Sequence, residues 1–283
     1  MNPQITWLAS YPKSGNTWVR FIVFFLAHRR LPTASWELDQ FSASRLPQSF
    51  TEAPEFCRSA SSKRPEGGGR APVFCKTHAS AGALSPLYAQ TRNAIYVTRN
   101  PLDVLSSALN YARLTGELAQ DEDPEIWIER YVEFGGNPLW AHPDYAARNW
   151  RENVREWKAC TAFPVLWLSY EELLSDPRAE IVRIASFMGY EADGSFVDEC
   201  VGATSFSSLR EFENREIKEA LITGKSQGRF SVENRMAAAS QGVRFFNRGG
   251  MGGYRGLLTA EQIGRACRMF EPEFSTLGYA AKE

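Results

Sequence analysis

The chain alternates short, almost wholly apolar runs with longer stretches in which apolar positions recur every three or four residues. Residues 4 to 10, 72 to 76, 93 to 98 ("NAIYVT") and 163 to 169 ("FPVLWLS") are the short runs. Their β-branched and aromatic content, without strict in-and-out alternation, predicts strands buried on both faces. The helical period appears over 16 to 30, 101 to 115, 124 to 135, 145 to 161, 177 to 189 and 259 to 271. Pro101 and Pro177 stand where the first turn of a helix tolerates proline. Strands separated by helices predict an α/β fold: one domain, residues 1 to 283, with a central parallel sheet flanked by helices.

The stretch 16 to 30 is apolar nearly all round, which predicts a buried helix. Its unbroken core, Phe21 to Ala27, is far shorter than the roughly 20 residues of a membrane span. It leads into His28, Arg29 and Arg30 without a small-residue cleavage pattern, so neither an anchor nor a secretion signal is expected. Two stretches depart from the strand and helix pattern. Residues 31 to 71 are rich in Ser, Pro and Gly and are expected to form a variable loop on the acceptor side. Residues 223 to 256 contain six basic residues against one acid, Glu233, and are expected to act as a glycine-rich cationic lid.

Charge changes the picture by exclusion. Lys and Arg number 32 against 33 Asp and Glu, a net charge of -1, so no global field draws the chain to nucleic acid or an anionic membrane. Any anion site is local. The cysteines at 57, 75, 160, 200 and 267 are odd in number and contain no C-x-x-C pair, which argues against a disulfide framework or a zinc site and for a reducing cytoplasm.

The local anion site is expected in "SYPKSGNTW", between the first strand and the first helix. Ligands of open parallel sheets bind beyond the carboxyl ends of the strands. Amides opening the helix point outward, Gly15 permits close approach, Ser14 and Thr17 add hydroxyls, and Lys13 adds a mobile charge. The nucleoside-triphosphate P-loop reads G-x-x-x-x-G-K-[ST]. Here the first glycine is absent and the lysine precedes Gly15, so the device is P-loop-like but distinct.

"YPKSGNTW" resembles the 5′-phosphosulfate loop of cytosolic-type sulfotransferases, which use 3′-phosphoadenosine-5′-phosphosulfate (PAPS). Other segments follow in the family's order. "IYVTRNPLDVLSSALNY" resembles the 3′-phosphate segment with Arg99 and Ser107, and "FCKTHA" the strand end with Lys76 and the histidine base, His78. "NWRENVREW" and "VLWLSYEELLSDP" resemble structural stretches, the second placing Tyr170 near the nucleotide. "ATSFSSL" supplies Thr204 and Phe206 near the adenosine, and "FFNRGGMGGYR" resembles the late phosphate clamp. The resemblance implies a donor site made of Lys13, Ser14, Gly15, Asn16, Thr17, Trp18, Arg99, Ser107, Tyr170, Thr204, Phe206, Arg248, Gly249 and Gly250. It also implies a catalytic set of Lys13, Lys76, His78 and Ser107. The clamp departs from the common Arg-Lys-Gly, since Arg248-Gly249-Gly250 lacks the lysine, with Arg244 and Arg255 as nearby candidates to replace it. The family's dimerisation stretch is only faint around Arg255 to Gly264, which leaves a homodimer by that route open.

The residues suit that chemistry independently. Sulfuryl transfer, like phosphoryl transfer, is mainly a matter of positioning and charge stabilisation. No clustered ligand set accompanies these motifs, and the strand "IYVT" leads into Arg99 where a Walker-B strand supplies a Mg²⁺-holding acid, so no metal is expected. Of three histidines, His28 closes an apolar helix, His142 lies in a loop, and His78 stands on the ligand-binding rim, where an imidazole suits a general base. Trp18 and Phe206 are the candidates to sandwich an adenine. Trp36, Phe41, Phe50, Phe56, Tyr88, Trp140 and Tyr145 are the aromatic candidates for an acceptor pocket. The expected function is therefore sulfuryl transfer to a hydroxyl, or an amine, of a small molecule, with a flavour of bacterial secondary-metabolite tailoring. A nucleotide-dependent kinase and a non-catalytic nucleotide sensor are the alternatives.

Overall fold

The computed structural model describes residues 5–43, 73–119, 121–142, 145–223 and 242–279. Among these residues five strands form one sheet: β1 (Ile5–Ser10), β2 (Ser42–Ala43), β3 (Val73–Thr77), β4 (Thr91–Thr98) and β5 (Val165–Ser169), in the order β2-β3-β1-β4-β5 with every pair parallel. Both faces are covered, which is why the strands read as apolar runs. Ile5, Trp7, Ala9, Ala94 and Tyr96 enter one core cluster, while Leu8, Ile95 and Val97 enter another.

Helix α1 (Asn16–His28) is buried on two sides at once. Val19, Ile22, Val23 and Leu26 pack with the sheet, whereas Phe21 and Phe24 pack with Leu38 of α2 (Ser35–Phe41). Fully burying each such side chain stabilises by about 1.5–3 kcal/mol, so its apolar girth is explained by position. Among the described residues no helix is long and apolar enough to cross a membrane.

Most expected helices appear near their expected ends: α3 (Pro101–Thr115), α4 (Glu125–Phe134), α5 (Trp150–Ala159), then a short α6 (Tyr170–Ser175) and α7 (Pro177–Met188). Asn100 caps α3 and Asp176 caps α7, each directly before its proline. Helix α5 begins five residues later than its pattern suggests, because Ala146 and Arg148 adopt positive φ (45° and 58°) and break the helical path. Among the described residues, α2, the short α6, α8 (Gly194–Ala203), α9 (Phe206–Thr223) and a short helix at Glu273–Thr276 lie outside the sequence expectation, and α10 (Ala260–Phe270) lies within it. The stretch 31 to 71 is not wholly loop, since it contains α2 and β2; its residues 44–72 lie outside the described residues, as do residues 224–241 of the expected lid.

The topology positions the site. From β1 the chain proceeds to β3 on one side and later to β4 on the other, so the strand order reverses between β1 and β4. In the register, Ala9 stands opposite Thr77, Ser10 opposite Val97, and Thr98 opposite Ser169. The residues that follow four strand ends therefore emerge along one rim.

Candidate active site

That rim carries the loop 11–15, His78, Arg99 and Tyr170. The loop is tight: the Ser14 amide donates to the Tyr11 carbonyl at 3.3 Å, Lys13 has φ 66° and Gly15 φ 103°. A Cβ at Gly15 would stand 2.7 Å from Cδ2 of Tyr170, so only glycine lets the loop approach that ring. Asn16 donates to the Leu8 carbonyl at 2.9 Å and tethers the start of α1 to its own strand.

The beginning of α1 is chemically open. Its N-cap, Gly15, offers no side chain to its first amides, and no acid lies in its first turn. By contrast α3, α5, α6, α7, α8 and α10 are capped by Asn100, Asn149, Ser169, Asp176, Asp193 and Thr259. Beside it are buried polar atoms with no partner among the described residues: Ser14 Oγ, Trp18 Nε1 and Arg99 Nε. Unsatisfied amides, a buried hydroxyl and a guanidinium suit an anionic ligand with several acceptor oxygens.

Tyr170 braces three of these elements. Besides filling the space at Gly15, its ring meets Trp18 edge-on at 5.7 Å and lies 4.0 Å from the Arg99 guanidinium carbon. Burial pushes its hydroxyl pKa up, with Arg99 opposing that rise. Arg99 in turn donates to the Lys13 carbonyl at 3.3 Å and to the Gly250 carbonyl at 3.0 Å. It thereby ties the first loop to the late glycine segment, 151 residues away in sequence.

His78 is held in a defined orientation. Its Nδ1 lies 2.9 Å from the Ser10 carbonyl, which only accepts, so Nδ1 carries the proton and Nε2 of the neutral ring keeps its lone pair. Asn153 of α5 donates to the His78 carbonyl at 3.2 Å and to the Ala147 carbonyl at 2.8 Å, and accepts from the Tyr96 hydroxyl at 2.8 Å. Trp157 donates to the Ala79 carbonyl at 3.0 Å. The segment "NWRENVREW" thus fastens the loop that carries His78. Lys76 is buried on β3 opposite Leu8. The other histidines are exposed; the His28 ring lies 4.4 Å from that of Phe24, and His142 follows a 3-10 turn.

The Lys13 ammonium lies 4.2 Å from the ring centres of both Tyr111 and Phe245. These rings also line a cleft of about 780 Å³ of empty space, counting the part open to solvent, with Thr17 at its edge and Phe21, Phe212 and Phe246 among its walls. Of the seven aromatic residues expected to form an acceptor pocket, the five among the described residues do not line this cleft. Phe41 stacks on Phe74, Tyr88 packs on Phe163, Trp140 belongs to the core, Trp36 and Tyr145 are largely exposed, and Phe50 and Phe56 lie outside the described residues.

The late segment is held by backbone contacts more than by cations. The Glu213 carboxylate accepts from the Phe245 and Phe246 amides at 2.6 and 3.0 Å, Asn110 donates to the Arg244 carbonyl at 2.8 Å, and Arg210 donates to the Phe246 carbonyl. Arg248 donates to the Gly253 carbonyl at 3.3 Å. The neighbouring cations, Arg244 and Arg255, show their own local engagements: Arg244 donates to the carbonyl of Val243, and the Arg255 guanidinium carbon lies 5.9 Å from the Tyr254 ring. Phe206 opens α9 against Gly249, whereas Thr204 is buried and spends its hydroxyl proton on the Cys200 carbonyl at 2.7 Å. Ser107 lies half-buried on α3, one turn beyond Asp103. Sequence reasoning had no signal for Ser10, Asp103, Tyr111, Glu213 or Phe245, because each acts through a contact distant in sequence.

No group of three or more His, Cys, Asp or Glu suited to a metal ion occurs among the described residues. The chain is 26% identical to the flavonol 4′-sulfotransferase of Flaveria chlorifolia, with 99% of this chain and 82% of that protein covered. It is 25% identical to cytosolic sulfotransferase 17 of Arabidopsis thaliana, with 99% and 77% covered. Among solved structures, mouse sulfotransferase SULT7A1 complexed with PAP superposes with a TM-score of 0.66 at 19% identity, covering 98% of this chain and 86% of that one, a likeness of fold. The family model of the sulfotransferase domain matches residues 3–278, and the chain belongs to that family.

Proposed function

We propose that this protein transfers a sulfuryl group from PAPS to a hydroxyl of a small-molecule acceptor, in the cytoplasm. The observation that carries the proposal is the juxtaposition on one rim of an uncapped helix N-terminus, with Lys13 and the buried Ser14 hydroxyl, and a histidine whose Nδ1 is oriented by the Ser10 carbonyl. The buried Ser14 Oγ, Trp18 Nε1 and Arg99 Nε without partners fit a donor bearing a 5′-phosphosulfate and a 3′-phosphate.

PAPS, when bound, supplies an activated sulfuryl group whose bond to the 5′-phosphate oxygen breaks as the acceptor oxygen bonds to sulfur. His78 takes the acceptor proton at Nε2, while its Nδ1 keeps its own proton and goes on donating it to the Ser10 carbonyl, which stabilises the imidazolium formed. Lys13, Lys76, the Ser14 hydroxyl and the amides of residues 15 to 17 balance negative charge on the sulfuryl and leaving oxygens. Arg99, Ser107, Arg248, Gly249 and Gly250 hold the 3′-phosphate. Trp18, Tyr170, Thr204 and Phe206 surround the nucleoside.

The acceptor enters the cleft walled by Phe21, Tyr111, Phe212, Phe245 and Phe246. Aromatic walls bind flat aromatic bodies well, and the plant relative is by its name a flavonol sulfotransferase. A phenolic small molecule, as in secondary metabolism, fits best; an amine acceptor uses the same geometry.

The test is incubation with PAPS and a panel of phenols, alcohols, sugars and amines, in chelator, with the nucleotide product read by mass. Acceptor-dependent release of adenosine 3′,5′-bisphosphate is expected, matched mole for mole by sulfated product. Turnover of ATP with Mg²⁺ and none of PAPS would overturn the assignment.

A further inference from the structure

A carboxylate lies where the donor's second phosphate is to be held. Asp103, on the first turn of α3 and four residues after Arg99, is only 3% exposed. A buried acid beside an anion site is unfavourable unless its charge is engaged. Here its Oδ2 accepts from the Gly252 amide at 2.9 Å and its Oδ1 from the Gly253 amide at 2.8 Å. The turn it holds is pressed against α3: Gly252 has φ 76°, and a Cβ at Gly253 would lie 2.9 Å from Ser106 Oγ.

The other end of the same segment is anchored differently. Gly249 has φ 61°, and a Cβ there would stand 2.2–2.6 Å from three carbons of the Phe206 ring. The ring lies across the backbone, so this position admits no lysine without displacing Phe206. Arg248, just before the first anchor, donates to the Gly253 carbonyl of the second, and Gly250, between them, accepts from Arg99 through its carbonyl. Any movement of the Gly252–Gly253 turn moves both arginines' partners.

Resting on the assignment of Arg99 and Arg248 to the 3′-phosphate, we propose that Asp103 is a positioning residue for 3′-phosphate recognition: by holding the Gly252 and Gly253 amides, it sets the late segment so that Arg99 and Arg248 converge. It touches no substrate and acts through backbone geometry. In this chain, recognition without the clamp lysine relies on two arginines placed by a buried acid.

Calorimetric titration of the full chain with adenosine 3′,5′-bisphosphate and with adenosine 5′-monophosphate tests this, since the ratio of affinities isolates the 3′-phosphate. The wild type is expected to prefer the bisphosphate. Asp103→Ala should reduce that preference by about tenfold or more, with affinity for the monophosphate changed less than about threefold. Asp103→Asn, which is isosteric and keeps one acceptor oxygen, should fall between. In the Arg99→Ala background, Asp103→Asn should cost less than it does in the wild type, because part of its effect acts through Arg99. Undiminished preference in Asp103→Asn and Asp103→Ala would overturn the proposal, as would losses that simply add to that of Arg99→Ala. Should Asp103→Ala fail to fold by circular dichroism, Asp103→Asn and the double variant decide. A wild type without preference for the bisphosphate overturns the donor assignment itself, a failure distinct from a preference that survives at Asp103.

Discussion

The Nδ1 of His78 and the carbonyl oxygen of Ser10 stand 2.9 Å apart, and this contact places the proton of the neutral ring on Nδ1. Ser10 ends β1 and His78 follows β3, the adjacent strand, so the tautomer is set by strand pairing.

With Nε2 as the base, turnover of a weakly acidic acceptor should rise with pH as the ring loses its proton, because only the neutral form accepts one. His78→Ala should remove that rise and lower turnover by about 10²–10⁴-fold, the usual contribution of a general base. His142→Ala, at an exposed loop position, should keep it. pH–rate profiles of the two variants make the comparison, and an unchanged profile in His78→Ala would exclude the role.

Lys13 is expected to matter more to turnover than to donor affinity. Its ammonium is held between Tyr111 and Phe245 at 4.2 Å from each, at the edge of the cleft, and a preorganised charge there stabilises the transferred group as negative charge develops. Lys13→Ala should lower kcat by roughly 10²-fold while bisphosphate affinity falls far less. Single-turnover kinetics and calorimetry separate the two.

Gly15 and Gly116 provide a matched pair. Both have positive φ, 103° and 76°, but a Cβ at Gly15 would meet Tyr170 at 2.7 Å whereas one at Gly116 would meet nothing within 4 Å. Gly116→Ala should cost about 1 kcal/mol of stability through backbone strain alone. Gly15→Ala should cost more and also weaken donor binding, because Tyr170 must leave Arg99 and Trp18. Equal thermal shifts with intact nucleotide affinity would show that the close approach is not needed.

Cys200 should resist modification in the native protein. It is fully buried, and burial pushes its thiol pKa up to about 12, so almost no thiolate forms at pH 8.5. Iodoacetamide followed by peptide mass mapping should label the half-buried Cys160 before Cys200, and Cys200 only on unfolding. Fast native labelling of Cys200 would contradict its place in the core.

The strands β1, β3, β4 and β5, the helices α1, α3, α4, α5, α7 and α10, and the succession of motifs from Lys13 to Arg248 were legible in the sequence, because apolar periodicity, proline placement and the chemistry of "YPKSGNTW" are local properties of the chain. The shift of α5 to Trp150 was not, since the positive φ of Ala146 and Arg148 is imposed by surroundings rather than by residue type. Nor was the aromatic cleft: its walls come from α1, α3, α9 and the late segment, and aromatic residues carry the same local signal whether they line a cleft or fill a core. Asp103 is the sharpest case. Read alone, it is an acid in a helix's first turn, where acids are favoured anyway; its pairing with Gly252 and Gly253, about 150 residues away, exists only once the sheet order β2-β3-β1-β4-β5 brings the ends of β1 and β4 together and the late segment closes over them.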